Sequence, residues 1–284
     1  MYYNSRMLHR KHNQKTKLLV LMCLSFVIVI AISSASYAGS TTAQNKTTIG
    51  LKDGITNVTK INIVLVHGLG ADASSWSRVI PILLNAGHKV IAVQLPLHSL
   101  TDDIATVKHA IDLLGGPTIL VGHSYGGMVI SNAAYNNPSV KGLVYIAALA
   151  PKEGQSLSTF VKSDTFPKGS LIIDKGKLAY LNPDLIRKSF PDIDPVQADI
   201  LAVTQKPFNI SILAEKSGPV AWNQLPTWYQ ISENDHNLSP TLEHFFAKQM
   251  NATTISLPSS HESLISHSKE IAQLILNATK AVTR

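Results

Sequence analysis

The hexapeptide Gly122-His123-Ser124-Tyr125-Gly126-Gly127 decides how the whole chain is read. It follows an apolar run, Thr118-Ile119-Leu120-Val121, with the character of a buried strand. It precedes residues 128–135, whose apolar spacing is helical and which hold no proline. Strand, sharp turn and helix therefore lie within roughly 20 residues, the context that a G-x-S-x-G nucleophile elbow requires. The glycines follow from the chemistry. A serine at the tip of so tight a turn sits in strained backbone, and its neighbours two positions away must be nearly side-chain-free for strand and helix to pack. The helix also aims its amide N–H groups and positive dipole end at the serine, which favours negative charge developing there. A glycine-rich turn with an incidental serine explains the glycines but not every matched position. Ser124 is the candidate nucleophile.

Outward from this centre, residues 61–66, 89–93 and 140–148 read as strands, and residues 75–86 and 102–114 as helices. Apolar strands alternating with helices predict a parallel sheet covered on both faces. The first strand stops at His67-Gly68-Leu69-Gly70. Acyl transfer generates an oxyanion, which two backbone N–H groups stabilise. The amide of Tyr125, just after the serine, is one candidate, and the amide of Leu69 is the other. Gly68 and Gly70 let that backbone approach a ligand with no Cβ in the way. A serine nucleophile further needs a base and a buried carboxylate that orients it, and hydrolases built on a G-x-S-x-G elbow carry the three in the chain order Ser, acid, His. Residues 226–231 form an apolar, aromatic strand ending at Ser232-Glu233-Asn234-Asp235-His236, which makes Asp235 the candidate acid and Glu233 its nearest competitor. Residues 254–257 form the last strand, and His261 on the loop after it is the candidate base. His236 is too close to the acid to face it, and His123 is expected to pack beneath the elbow. His244 and His267 lie in helical patterns, and His98 is a candidate pocket residue. A final helix over residues 264–280 closes the sheet.

The segments Ile63 to Gly70, Trp76 with Val79-Ile80-Pro81, Ala86 to Val90, Val93-Gln94-Leu95-Pro96, Val121 to Gly127 and Gly142 to Ala148 resemble the α/β-hydrolase superfamily. Specifically, they are similar to its small-lidded esterase branch, which includes plant methylesterases, hydroxynitrile lyases and bacterial hydrolases. The resemblance runs from about residue 61 to the C-terminus. It implies an α/β fold with a mostly parallel sheet of about six strands, helices on both faces, and a lid insertion. Core halves then occupy residues 61–151 and 226–284, and the lid residues 152–225, where Pro and Gly recur between short amphipathic pieces at 184–190 and 195–203. Asp235 and His261 match the family's acid and base positions. Phe160, Phe166, Leu201, Phe208 and Trp222 are candidate lining residues of the lid.

Composition bounds the rest. Residues 1–38 begin with Arg6, Arg10, Lys11, Lys15 and Lys17 and no acid, continue with an apolar run, and end on Ser36-Tyr37-Ala38. That is the pattern of a secretory signal cleaved after Ala38, with residues 39–60 a polar tether. Without it, the formal net charge of +7 becomes 20 basic against 18 acidic groups, +2, so the excess charge belongs to the targeting segment and not to a nucleic-acid surface. The single cysteine, Cys23, lies in the apolar run, which excludes disulfides, thiolate catalysis and cysteine metal sites from the mature chain. No metal motif and no dinucleotide fingerprint occurs, and the chemistry is expected to need no cofactor. The expectation is a secreted or periplasmic serine hydrolase, free of a membrane anchor after cleavage, acting on a carboxylic ester of a small, fairly apolar substrate. Two alternatives share the shell: a hydroxynitrile lyase-type reaction, for which Lys206 and Lys216 are available, and a receptor that holds a small ligand without turnover.

Overall fold

In the computed structural model, which describes residues 60–160 and 169–283, six β-rich runs form one parallel sheet. The strands are β1 (Asn62–Val66), β2 (Val90–Ala92), β3 (Thr118–His123), β4 (Val140–Ile146), β8 (Thr227–Ser232) and β9 (Thr253–Leu257), in the order β2-β1-β3-β4-β8-β9. Their near-continuous apolar sequences follow from burial on both faces. Alternate residues feed two cores: Val64, Leu120, Tyr145 and Tyr229 point to one, and Leu65, Val121, Val144 and Trp228 to the other. Helices α2 (Leu100–Leu114) and α3 (Gly126–Ala133) cover the first face, while α1 (Ile80–Asn85) and α8 (Ser268–Ala281) cover the second. The segment before residue 60, including the targeting pattern and most of the tether, lies outside the described residues.

Local chemistry sets the element ends. Ser99 caps α2 by accepting from the Asp102 amide at 3.1 Å, and Gly115 ends the helix at φ 58°. Two expected helices are broken. Residues 75–86 divide into a 3₁₀ turn (Ala73–Trp76) and α1, and the C-terminal helix is interrupted at His267 between α7 (Ser263–Ser266) and α8. In the first case Pro81 pre-organises the start of a fresh helix at Ile80.

Residues between β4 and β8 contain more regular structure than the sequence pattern shows. Besides α4 (Pro183–Ser189) and α5 (Pro195–Thr204), they form a three-stranded antiparallel sheet of β5 (Leu171–Ile173), β6 (Leu178–Leu181) and β7 (Phe208–Asn209). Such short strands carry too few residues for a period of two to register.

Several titratable groups are buried where the sheet's carboxyl edge meets the helices. Burial pushes His67 down to about 4 and His123 down to about 3. Burial, with Asp235's charge close by, pushes Glu243 of α6 (Pro240–Gln249) up to about 10. Both signs predict loss of stability away from neutrality. As pH falls below 6.5, the unfolded chain takes up protons that the two folded histidines refuse until about 4 and 3. As pH rises from 4.5 through 10, unfolded Glu243 ionises while the folded residue keeps its proton. Urea unfolding of Glu243→Gln between pH 6 and 9 should therefore lack up to ~1.4 kcal/mol per pH unit of the wild-type decline. A slope identical to wild type counts against a neutral Glu243.

The elbow glycines make a second prediction. A Cβ on Gly126 would lie 2.6 Å from the Val66 carbonyl oxygen, a backbone atom that cannot swing aside. Gly126→Ala should lower stability by about 1–3 kcal/mol, read from the urea midpoint, because the helix must move off the sheet.

Candidate active site

Ser124 sits between β3 and α3 with φ 53°, the left-handed backbone that a non-glycine residue adopts only when its surroundings force it. The end of β4 and the segment after it supply that force. The Ser124 amide donates to the Ile146 carbonyl at 3.2 Å, and the Ser124 carbonyl accepts from the Leu149 amide at 3.0 Å and the Gly127 amide at 3.1 Å. A Cβ on Gly122 or Gly127 would stand 2.5 Å from the Gly126 or Leu149 carbonyl oxygen, respectively, so both positions exclude larger residues.

The loops after β8 and β9 bring Asp235 and His261 together, 26 residues apart in sequence. His261 Nδ1–H donates to Asp235 Oδ2 at 2.5 Å, and both side chains are buried. Asp235 Oδ1 accepts from the Asn237 amide at 2.6 Å and the Leu238 amide at 2.9 Å, which fixes the carboxylate plane. Burial opposes the Asp235 charge, but the His261 cation and these hydrogen bonds outweigh it and hold the pKa below the usual carboxylate value. Burial likewise opposes the His261 cation, and Asp235's charge and hydrogen bond override it, so this histidine lies above its usual 6.5. With Nδ1 committed, Nε2 is the nitrogen left to take a proton. The two loops are also joined directly: Glu233 N–H donates to the Leu257 carbonyl at 2.9 Å and Asn234 N–H to the Ser259 carbonyl at 3.0 Å. Glu233, the competing acid, is exposed and paired with His244 at 3.3 Å.

Two further histidines brace the site. His123 is buried beneath the elbow and donates from Nε2 to the His261 carbonyl at 3.0 Å, tying the base's loop to the serine's own strand. His67 Nδ1–H donates to the Gly68 carbonyl at 2.9 Å while Nε2 accepts from the Leu95 amide at 3.1 Å, which makes it a neutral strut for the loop carrying Leu69. That loop lies against the serine: a Cβ on Gly68 would be 2.8 Å from Ser124 Cβ. On the other side, the Tyr125 hydroxyl donates at 2.8 Å to Asp103, whose second oxygen accepts from the Leu97 amide at 2.9 Å. Asp103 and Glu243, both buried, carry no sequence signal that separates them from surface acids of amphipathic helices. The bracing roles of His67 and His123 depend on partners distant in sequence.

Leu69, Ser124, Tyr125 and His261 border one cavity. Asp235 stands behind His261. Of the expected lid residues, Phe208 lines this cavity and Leu201 a smaller one beside it. Phe160 instead packs edge-on against Phe246 at 4.9 Å, and Trp222 is buried in the core. Phe166 lies outside the described residues. His98 and His236 are exposed. The insertion's contribution comes chiefly from Leu157, Leu171, Leu181, Phe190 and Leu213. Lys206 donates to the Leu95 carbonyl, and neither it nor Lys216 borders the cavity.

Known proteins agree with this architecture. A polyneuridine aldehyde esterase of Rauvolfia serpentina is 22% identical over 249 residues, spanning 76% of this chain and 94% of its own. An alpha/beta hydrolase, nvfD, of Aspergillus novofumigatus is 24% identical over 240 residues, 76% of this chain and 95% of its own. The crystal structure of a pyrethroid hydrolase from Sphingobium faniae superposes with a TM-score of 0.68 at 21% identity, covering 78% of this chain and 98% of that one. The sequence pattern of the alpha/beta hydrolase family matches residues 63–274, and the chain belongs to that family.

Proposed function

We propose that the protein is a serine esterase using Ser124, His261 and Asp235. The observation that carries this reading is the 2.5 Å hydrogen bond between His261 and Asp235, beside the cavity that Ser124 enters from a left-handed turn. The esterases and hydrolases among its relatives support the same reaction class. In the first step Ser124 Oγ attacks the ester carbonyl carbon while its proton passes to His261 Nε2. The Leu69 and Tyr125 amides hold the resulting oxyanion. The tetrahedral adduct collapses, breaking the C–O bond, and the imidazolium returns the proton to the departing alcohol. Water, activated by the same histidine, then attacks the acyl-serine and releases the acid. Asp235 keeps Nδ1 protonated and stabilises the cation. The largely leucine and phenylalanine wall suits a small, fairly apolar ester. Residues 1–38 fit this as an export signal, and N-terminal sequencing of exported protein should begin at Gly39. A lyase reading finds no support in Lys206, which the Leu95 carbonyl engages.

Hydrolysis of a p-nitrophenyl ester series by residues 39–284 tests the proposal. Ser124→Ala should abolish turnover, and Asp235→Asn should lower kcat by a factor of about 10³–10⁴ with a smaller change in KM. Wild-type kcat/KM should rise with pH through an ionisation above 6.5, because the neutral imidazole is the active form and Asp235 favours the cation. Wild type and Ser124→Ala equally inactive on every ester, with a single stoichiometric ligand still bound, would point to the receptor reading instead.

A further inference from the structure

Glu262 follows His261 directly and is 6% exposed. It borders the main cavity beside Ser124 and His261, and also the smaller cavity next to Leu69 and Gly70. Its Oε2 is buried with no hydrogen-bond partner among the described residues. Buried polar atoms are nearly always paired, and an unpaired one costs as much as a lost hydrogen bond. None of its charged neighbours pairs with that oxygen. The Nδ1 of His261 is committed to Asp235. Asp192, from the insertion, is itself an acceptor, filled by the Ser260 amide at 2.9 Å and the Ser266 hydroxyl at 2.8 Å. The backbone at this point is fixed as well: the Glu262 carbonyl accepts from the Ile265 amide at 2.9 Å and the Ser266 amide at 3.2 Å, at the start of α7. Leu69, Leu181 and Phe190 border both cavities with Glu262, and in the main cavity leucine and phenylalanine side chains make up most of the lining around it.

We propose that Glu262 is a specificity-determining residue whose carboxyl receives a hydrogen-bond donor, a hydroxyl or an ammonium group, carried by the ester that Ser124 attacks. The site then selects small donor-bearing esters over wholly apolar ones. The inference rests on the serine esterase reading for the position of the ester, and on the unpaired buried oxygen for the donor. A substrate without a donor brings no partner to an oxygen that the described residues leave unpaired, and sites built to hydrogen-bond a substrate group reject the analogue that lacks it. Three charged or titratable groups face Glu262: His261 from its own loop, Asp235 from the loop after β8, and Asp192 from the insertion. Burial pushes its carboxyl up to about 7, with the His261 cation opposing and the two aspartates adding. A hydroxyl is accepted by either protonation state, whereas an ammonium group gains from the carboxylate, so preference for an amine should increase as pH rises through 7.

The test compares matched esters by pH-stat: methyl butanoate with methyl 3-hydroxybutanoate and methyl 3-aminobutanoate on the acyl side, and benzyl acetate with 3-hydroxybenzyl acetate on the alcohol side. Wild type should favour a donor-bearing member in kcat/KM by on the order of tenfold or more, mostly through KM. In Glu262→Leu that ratio should fall to near one. Glu262→Gln, of nearly the same shape, should keep a hydroxyl preference and lose an ammonium one, and it guards against misfolding of the leucine variant. No discrimination by wild type in either series, or discrimination that survives Glu262→Leu, overturns the proposal. The same compounds titrated calorimetrically into Ser124→Ala, with and without Glu262→Leu, separate the two readings. Tighter binding of donor-bearing ligands that depends on Glu262, without turnover by wild type, refutes the esterase and leaves the recognition role. Turnover without such dependence does the reverse.

Discussion

Everything at the carboxyl edge of the sheet depends on one strained residue, Ser124 at φ 53°. A left-handed serine costs on the order of 1–3 kcal/mol, and it persists only where the surroundings over-determine it. Three hydrogen bonds, from the end of β4, the segment beyond it and the first turn of α3, hold the residue in place. Glycines at 122, 126 and 127 make room for those contacts at distances that no Cβ tolerates. The strain lifts the hydroxyl out of the turn, and the helix behind it brings its amide groups towards the same point. Packing elsewhere in the sheet can be rearranged at moderate cost. This junction cannot.

Around the serine, polar groups are buried in pairs that set one another's state. Asp235 is ionised because His261 and two amides surround it, and burial, with that charge close by, leaves its neighbour Glu243 neutral. His67 and His123 are kept uncharged by burial: His67 spans the Gly68 carbonyl and the Leu95 amide, and His123 holds the His261 carbonyl, each a fixed strut rather than a proton carrier. Of the buried histidines at this edge, only His261 has a carboxylate against its ring. The same residue type therefore serves as frame at two positions and as candidate base at a third, and environment alone makes the difference.

The strand–turn–helix around Ser124 was legible because its evidence is local: glycine spacing, an apolar run before and a helical period after. The parallel sheet was legible for a related reason, since strands buried on both faces read as continuous apolar runs. The candidate acid and base were read from chain order and from resemblance. The small sheet β5–β6–β7 was not, because strands of two to four residues carry almost no periodic signal. The lining residues of the insertion were read poorly for a different reason. Phe160 and Leu157 are both apolar and close in sequence, yet one packs on Phe246 and the other borders the cavity.

The sequence by itself determined the order of elements, the strained serine with its glycines, and the identity of the candidate acid and base. Each of these is a property of neighbouring residues or of their order along the chain. Only the tertiary structure decided which titratable groups are buried, what His67 and His123 bond to, that Asp103 holds Tyr125, and that the buried Glu262 Oε2 has no partner among the described residues. Those outcomes depend on atoms brought together from residues far apart in the chain, and burial and partner distance, which set charge state and hydrogen bonding, exist only once the chain has folded.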